Sequence, residues 1–156
     1  MKRLIDFIYP PSYESKIDRP RLEKIAKTTL SKATQEQNPA FSLRFTTNQA
    51  IHAFNRDYRG IDEATDVLSF PSGFYDPETG CFYLGDIIIS LQMAQKQARD
   101  LKTTLQNELE MLMVHGILHL CGYDHDTSAN YRTMSTMQDE ILKSVNNPLI
   151  GSIHAQ

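Results

Sequence analysis

Three of the five histidines fall within eleven residues, HGILHLCGYDH at positions 115–125. His115 and His119 are four residues apart in an apolar run. On a helix that spacing projects both imidazoles from one face. Gly122 follows His119 by three residues, where glycine in a left-handed conformation ends a helix and turns the chain. The turn can then return His125 to the same point in space. Three neutral imidazoles with a fourth position open form the ligand set of a catalytic zinc site, although such sites accept several first-row ions. Each histidine taken singly reads as an ordinary core or surface residue; the pair, the glycine and the third histidine together read as a metal site. The spacing H-x-x-x-H-x-x-G-x-x-H is also that of the metzincin proteases, which carry glutamate directly after the first histidine as general base. Here that position is Gly116, which disfavours peptide hydrolysis but not metal binding.

Other side chains around the motif are less decisive. Asp124 either orients an imidazole or accepts a proton, or it is a turn aspartate bonding its own backbone. Cys121 points off the histidine face by helix spacing and reads as core. His52 and His154 read as surface. In NRDYRGIDEATDVLSFP, residues 55–71, Arg56 and Arg59 stand three apart at a helix end. A guanidinium is planar, always charged and bidentate, so beside a zinc site it suits a phosphate. With Asp57 and Asp62 nearby, an ordinary solvated arginine is the stronger reading of either residue alone.

The elements that must position these residues follow from periodicity. Residues 3–9 alternate as a strand, and 41–47 and 67–71 read as two more. The segment SGFYDPETG then loops back to a fourth strand over 81–90. A helix is expected from Arg21 to about Gln35, with Leu22, Ile25, Ala26, Thr29, Leu30 and Ala33 on one face and Pro20 at its start. A short helix over 48–59 ends near Gly60. Two more run near 90–101 and 106–121, the second strongly apolar. A last helix over 128–145 carries Tyr131, Met134, Met137, Ile141 and Leu142 at core spacing. Strands interleaved with helices indicate an α/β (α+β) chain: one domain over residues 1–150, a mixed sheet of about four strands covered by helices, and a tail at 151–156. The metal site then lies at the end of the apolar helix 106–121. Strand order is not readable from the pattern.

Composition sets the outer limits. A chain of 156 residues with 40% hydrophobic and 22% charged content can build its own core, which excludes disordered, collagen-like and coiled-coil classes. Cys81 and Cys121 form no C-x-x-C pair and read as free thiols of a reducing compartment. The N-terminal apolar stretch is short, broken by Asp6 and stopped by Pro10-Pro11, so it is no signal peptide. No apolar run approaches a membrane span, and a cytoplasmic protein is expected. The net charge of -3 argues against indiscriminate RNA binding over the whole surface. It conceals an asymmetry: residues 1–59 carry 11 basic and 6 acidic side chains, residues 60–156 carry 5 and 13.

The histidine motif resembles the signature of the YbeY family, the bacterial endoribonucleases and rRNA maturation factors. FNRDYRGIDEATDVLSFP (54–71) is similar to that family's second motif, with Tyr58-Arg59 and Thr65-Asp66-Val67-Leu68-Ser69-Phe70 in place. LGDIIIS (84–90) and MSTMQDEIL (134–142) resemble two further family segments, so the likeness runs from about residue 50 to 142. The first 45 residues match only in layout, and the loop GIDEAT lacks the lysine and proline of many members. The resemblance implies one zinc ion on His115, His119 and His125, with catalytic roles for Arg59 and His115. It further implies single-strand-selective cleavage of RNA in rRNA maturation (16S rRNA 3′ end processing) and ribosome quality control, with the small subunit as partner. Zinc on three imidazoles lowers the pKa of bound water to about 7. Arg59 would stabilise charge developing on phosphoryl oxygens, and Asp124, the substrate phosphate or a ribose 2′-hydroxyl would take the proton. The rival reading from another class is a non-catalytic ribosome-associated factor in which zinc locks the last helices; a metallopeptidase is the weakest.

Overall fold

The computed structural model describes residues 5–151; Arg3 and Leu4 of the first expected strand, and the tail with His154, lie outside them. Four strands form one mixed sheet: β1 (Ile5–Ile8), β2 (Pro39–Thr46), β3 (Val67–Asp76) and β4 (Cys81–Ser90). Their spatial order is β1-β2-β4-β3, with β1, β2 and β4 parallel and β3 antiparallel to β4 on the edge. Parallel neighbours require a crossover, and helices supply both. The first crossover is α1 (Arg19–Ala33); the second contains α2 (Asn48–Arg59) and β3. Three helices follow β4: α3 (Leu91–Asp100), α4 (Leu105–Leu120) and α5 (Ser128–Ser144).

Local chemistry accounts for the helix ends. Asp18 accepts from the Arg21 N–H at 3.1 Å, ahead of Pro20 in the first turn of α1. Thr47, Thr104 and Thr127 cap α2, α4 and α5 in the same way, each satisfying a backbone donor the helix cannot. Gly60 ends α2 at φ 71°, as expected of a glycine there.

The two faces of the sheet differ. Phe41, Leu43, Ile87, Ile89 and Val67 point to one side, where they join Leu22 and Ile25 of α1, Leu91 of α3, much of α4 and Met134 and Ile141 of α5. Among the described residues the other side has a small cluster, Ile51 of α2 on Leu68 and Ile88, flanked by Phe54 and Phe70. α4 lies at the centre of the large core, with residues 108–118 all buried. A helix apolar on every side has no stable place except inside. Each fully buried Leu, Ile or Met contributes about 1.5–3 kcal/mol.

One polar contact clamps this helix. The buried Glu110 carboxylate accepts from Arg21 Nε of α1 at 2.7 Å and from Gln106 and Asn147 at 3.0 and 3.1 Å. Arg21 also donates to the Val145 carbonyl at 2.7 Å, so α1, α4 and the end of α5 are tied together.

Two expectations need correction. Residues 72–76, expected in a loop, extend β3: Phe74 and Tyr75 pair with Tyr83 and Phe82 across an irregularity between Pro71 and Phe74. The bulge breaks the two-residue alternation, and an edge strand at a bulge tolerates proline, which has no N–H to give to a ladder. Tyr131 is 45% exposed rather than core, because the first turns of α5, residues 128–133, are exposed throughout and burial begins at Met134. No described helix is long and apolar enough to cross a membrane.

Candidate metal centre

The last two turns of α4 carry His115 and His119, whose rings lie 4.7 Å apart between centroids. Helix α4 stops one residue after His119. Gly122 takes φ 97°; its N–H donates to the His119 carbonyl at 3.0 Å, and the Tyr123 N–H donates to Leu118 at 3.0 Å. This left-handed closure reverses the chain. His125 returns to within 5.8 Å of His115 and 5.2 Å of His119, measured between ring centroids. Asp124 holds the reversal by accepting the His125 N–H at 2.7 Å, the turn role rather than a direct contact with an imidazole.

The three ring nitrogens available as ligands all lie within 4.8 Å of one another. His115 Nε2 and His119 Nε2 are 3.2 Å apart. Two imidazole nitrogens on a tetrahedral zinc at about 2.0–2.1 Å stand about 3.3 Å apart, so the pair has the spacing that one shared ion imposes. His125 Nε2 is buried with no hydrogen-bond partner among the described residues, and a buried unpartnered nitrogen is costly unless a ligand engages it. The donor set therefore fits a single transition-metal ion.

Protonation states agree with this. His115 Nδ1 lies 3.1 Å from Gln138 Oε1, and an amide oxygen only accepts. The ring thus carries its proton on Nδ1 and turns the Nε2 lone pair toward the other two histidines. Both residues are completely buried. His119 titrates below the ordinary histidine range: burial and the neighbouring His125 charge favour the neutral ring, against Asp124 and a hydrogen bond to the Tyr123 backbone. Arg59 pushes in the same direction as burial, which locates its charge in the field of the site.

Arg59 is the last residue of α2, and its charge acts on His119. Its Nη1 donates to Asn55 Oδ1 at 3.3 Å, while Asn55 Nδ2 donates to the Glu63 carbonyl at 2.9 Å. The buried Asn55 side chain thereby ties the loop after the helix to the arginine that precedes it. Arg56 is different: it pairs with Asp57 at 3.1 Å on the surface. His52 is also a surface residue, 2.7 Å from Asp62. Cys121 is half-buried, its thiol pushed up to about 11 by burial, and it stands outside the three-histidine group.

The structure also explains Gly116. Ser69 Oγ of β3 donates to its carbonyl at 3.2 Å, and a Cβ there would meet Ile87 Cγ2 at 2.9 Å. The position following the first histidine thus faces the sheet rather than the metal ligands. A protease-type glutamate has no room at this position.

Gln138 and Asn55 were not singled out by their types. Gln138 did carry a signal, since it occupies the Met134–Ile141–Leu142 face of α5, where a polar side chain must find a buried partner. For Asn55 no comparable pattern exists.

Fold and site together define an α+β domain whose central buried helix, with the turn that follows it, presents three histidines able to hold one metal ion. The chain belongs to the YbeY family: the family model described as Endoribonuclease YbeY matches residues 11–146. The Endoribonuclease YbeY of Shouchella clausii (strain KSM-K16) is 42% identical over 134 residues, 78% of this chain and 84% of the relative. Its counterpart in Listeria monocytogenes serotype 4a (strain HCC23) is 41% identical over 137 residues, 80% and 84% of the two chains. A solution structure from Thermotoga maritima shares the fold with a TM-score of 0.56, 24% identity and coverage of 97% and 99%.

Proposed function

We propose that this protein is a metal-dependent, single-strand-specific endoribonuclease acting in rRNA maturation at the 3′ end of the small-subunit RNA and in ribosome quality control. The observation that carries the reading is the convergence of three imidazole nitrogens within 4.8 Å, in the field of Arg59, in a chain whose relatives are named endoribonucleases. His115, His119 and His125 are the ligands, and zinc is the ion their chemistry suits. When bound, such an ion supplies Lewis-acid polarisation of a phosphoryl oxygen and acidifies a water molecule to near neutral pH. The chain supplies the rest. Gln138 orients His115; Asp124 holds His125 through its backbone; Asn55 steadies Arg59. The Arg59 guanidinium binds the scissile phosphate and stabilises the charge that grows on its oxygens. A fixed donor of that kind is worth ~2.7–4 kcal/mol of barrier. Residues 1–150 form the working domain, with the small ribosomal subunit as partner and the cytoplasm as location.

The test compares wild type with Arg59→Ala and His115→Ala on single-stranded and duplex rRNA fragments, with elemental analysis of each protein. We expect about one ion per wild-type chain, loss of metal in His115→Ala, and retained metal with cleavage reduced about 10²–10³-fold in Arg59→Ala. Undiminished cutting by a metal-free preparation overturns the proposal. A protein that loses thermal stability without metal yet never cuts RNA is instead a zinc-stabilised structural factor.

A further inference from the structure

The metal site and Arg59 meet only phosphate, which single strands and duplexes share. Selectivity between them needs a surface that reads unpaired bases, and the uncovered face of the sheet offers one. Helix α2 covers that face only around Leu68 and Ile88. Beside it lies a groove of about 450 Å³, lined among others by Arg44, Phe54, Tyr58, Phe70 and Asp86. Tyr58 is 70% exposed. Its ring lies near-parallel to Phe54 at 6.1 Å and edge-on to Phe70 at 5.5 Å, so it is braced on two sides while one face stays open. Arg44 projects from β2 into the same groove and takes part in none of the ion pairs among the described residues.

We propose that this groove binds an unpaired base of the RNA strand whose phosphate is cut beside Arg59, the base stacking on Tyr58 and its phosphate meeting Arg44. The inference rests on the endoribonuclease reading above and names where that site obtains its single-strand preference. Continuity supports RNA as the occupant. Tyr58 and Arg59 are consecutive at the end of α2; Tyr58 lines the groove, and the Arg59 charge acts on His119. A strand whose phosphate is held by Arg59 therefore has the Tyr58 ring one residue away. The chemistry agrees: braced aromatic rings and a guanidinium are the two groups on which proteins stack splayed RNA bases. Asp86 on the groove floor accepts from the Tyr83 hydroxyl at 2.5 Å and repels phosphate, which leaves the floor to a base and the rim at Arg44 to the backbone. A duplex keeps its base faces stacked inside and cannot fill the groove.

The metal-loaded protein is tested with a single-stranded RNA carrying 5-iodouridine one to three nucleotides from the cut, and with a hairpin of the same sequence. Irradiation should cross-link the single strand, and not the hairpin, to the peptide spanning residues 54–70. Tyr58→Leu should abolish the cross-link and raise KM about 5- to 150-fold, the loss falling on KM rather than kcat. Tyr58→Phe keeps the ring and should restore both. Thermal melting shows whether each variant is folded. Cross-linking elsewhere, with KM unchanged in folded Tyr58→Leu, overturns the proposal; so does equal cross-linking of strand and hairpin. Failure of the endoribonuclease reading is seen separately, as wild type that cross-links RNA and does not cut it.

Discussion

Replacing Gln138 by methionine keeps the volume of the side chain and its apolar contacts on α5 while deleting the acceptor that faces His115 Nδ1 at 3.1 Å. Both residues are 0% exposed, so water does not take the acceptor's place. A buried donor left without a partner costs ~1–3 kcal/mol. The ring can escape this by moving its proton to Nε2, but Nε2 is the atom turned toward His119 at 3.2 Å. Protonating it removes a lone pair from the metal. By either route the metal-bound state loses more than the metal-free state, and an orienting partner of a ligand histidine is worth about 10- to 100-fold in affinity, or ~1.4–2.7 kcal/mol. Competition with a chelator of known affinity measures the loss. Long-range proton–nitrogen NMR of the metal-free protein reads the His115 tautomer directly, which a merely structural glutamine would not move. Melting curves confirm folding. If folded Gln138→Met binds metal as tightly as wild type, with His115 still protonated on Nδ1, the tautomer is set by something other than this amide and the reasoning fails.

Two further outcomes follow from the same geometry. His119 has its pKa lowered in the folded, metal-free protein, chiefly by burial. The unfolded chain therefore binds more protons in the window below the ordinary histidine value of about 6.5. Stability of the metal-free protein is fully present above that value and falls as pH drops toward the folded pKa; melting at pH 7.5 and 5.5 measures it, and a His119→Asn background should flatten the dependence. Gly116→Ala forces a Cβ to 2.9 Å from Ile87 Cγ2, an overpacking of ~1–3 kcal/mol that the better helix propensity of alanine offsets only in part. In a double-mutant cycle, the same change made on Ile87→Ala should cost less, since the clashing atoms are gone; equal costs in the two backgrounds would show that α4 does not seat on β4 through this contact.

The histidine centre was legible because it is local. His115, His119, Gly122 and His125 are fixed relative to one another by one helix end and one turn, and the sequence shows both. Helix and strand positions were legible for the same reason, since the alternation of Ile5–Ile8 and the apolar face of α1 depend on neighbours in the chain. What was hidden is non-local. The order β1-β2-β4-β3 depends on which strands pair, and no single strand's pattern records its partner. The extension of β3 through Phe74 and Tyr75 was masked by Pro71 and the bulge beyond it, which shift the alternation. The link from Gln138 to His115 spans 23 residues and two helices. Arg59 is the intermediate case. Its chemistry was readable, but its influence on His119, 60 residues further along the chain, depends on how the fold brings α2 and α4 together.

The charge asymmetry along the chain takes a different meaning once folded. The acidic half contains Asp66, Glu108 and Glu110, all buried, and Glu110 is bound by Arg21 from the basic half. Asp62 is engaged by His52 and Asp100 by Lys96, at 2.7 and 3.0 Å. A good part of the negative count is therefore internal or locally paired and does not confront a polyanion approaching the site. The basic residues are also spread: Arg21 serves the core, Arg56 pairs with its neighbour, and Arg59 and Arg44 lie at the histidine site and in the sheet groove. The net charge of -3 gives the chain little general attraction for a polyanion, so affinity for RNA is not assembled from phosphate contacts over the whole surface as it is in proteins that coat nucleic acid. On the proposed reading it comes from a few contacts of different kinds: a guanidinium at the scissile phosphate, an ion held by imidazoles, and an aromatic ring that accepts a base only when the base is unpaired. Such a division makes cutting depend on the conformation of the strand more than on its charge. For a nuclease working among folded ribosomal RNA, where phosphate is everywhere and exposed single strands are few, that dependence is the selectivity it needs.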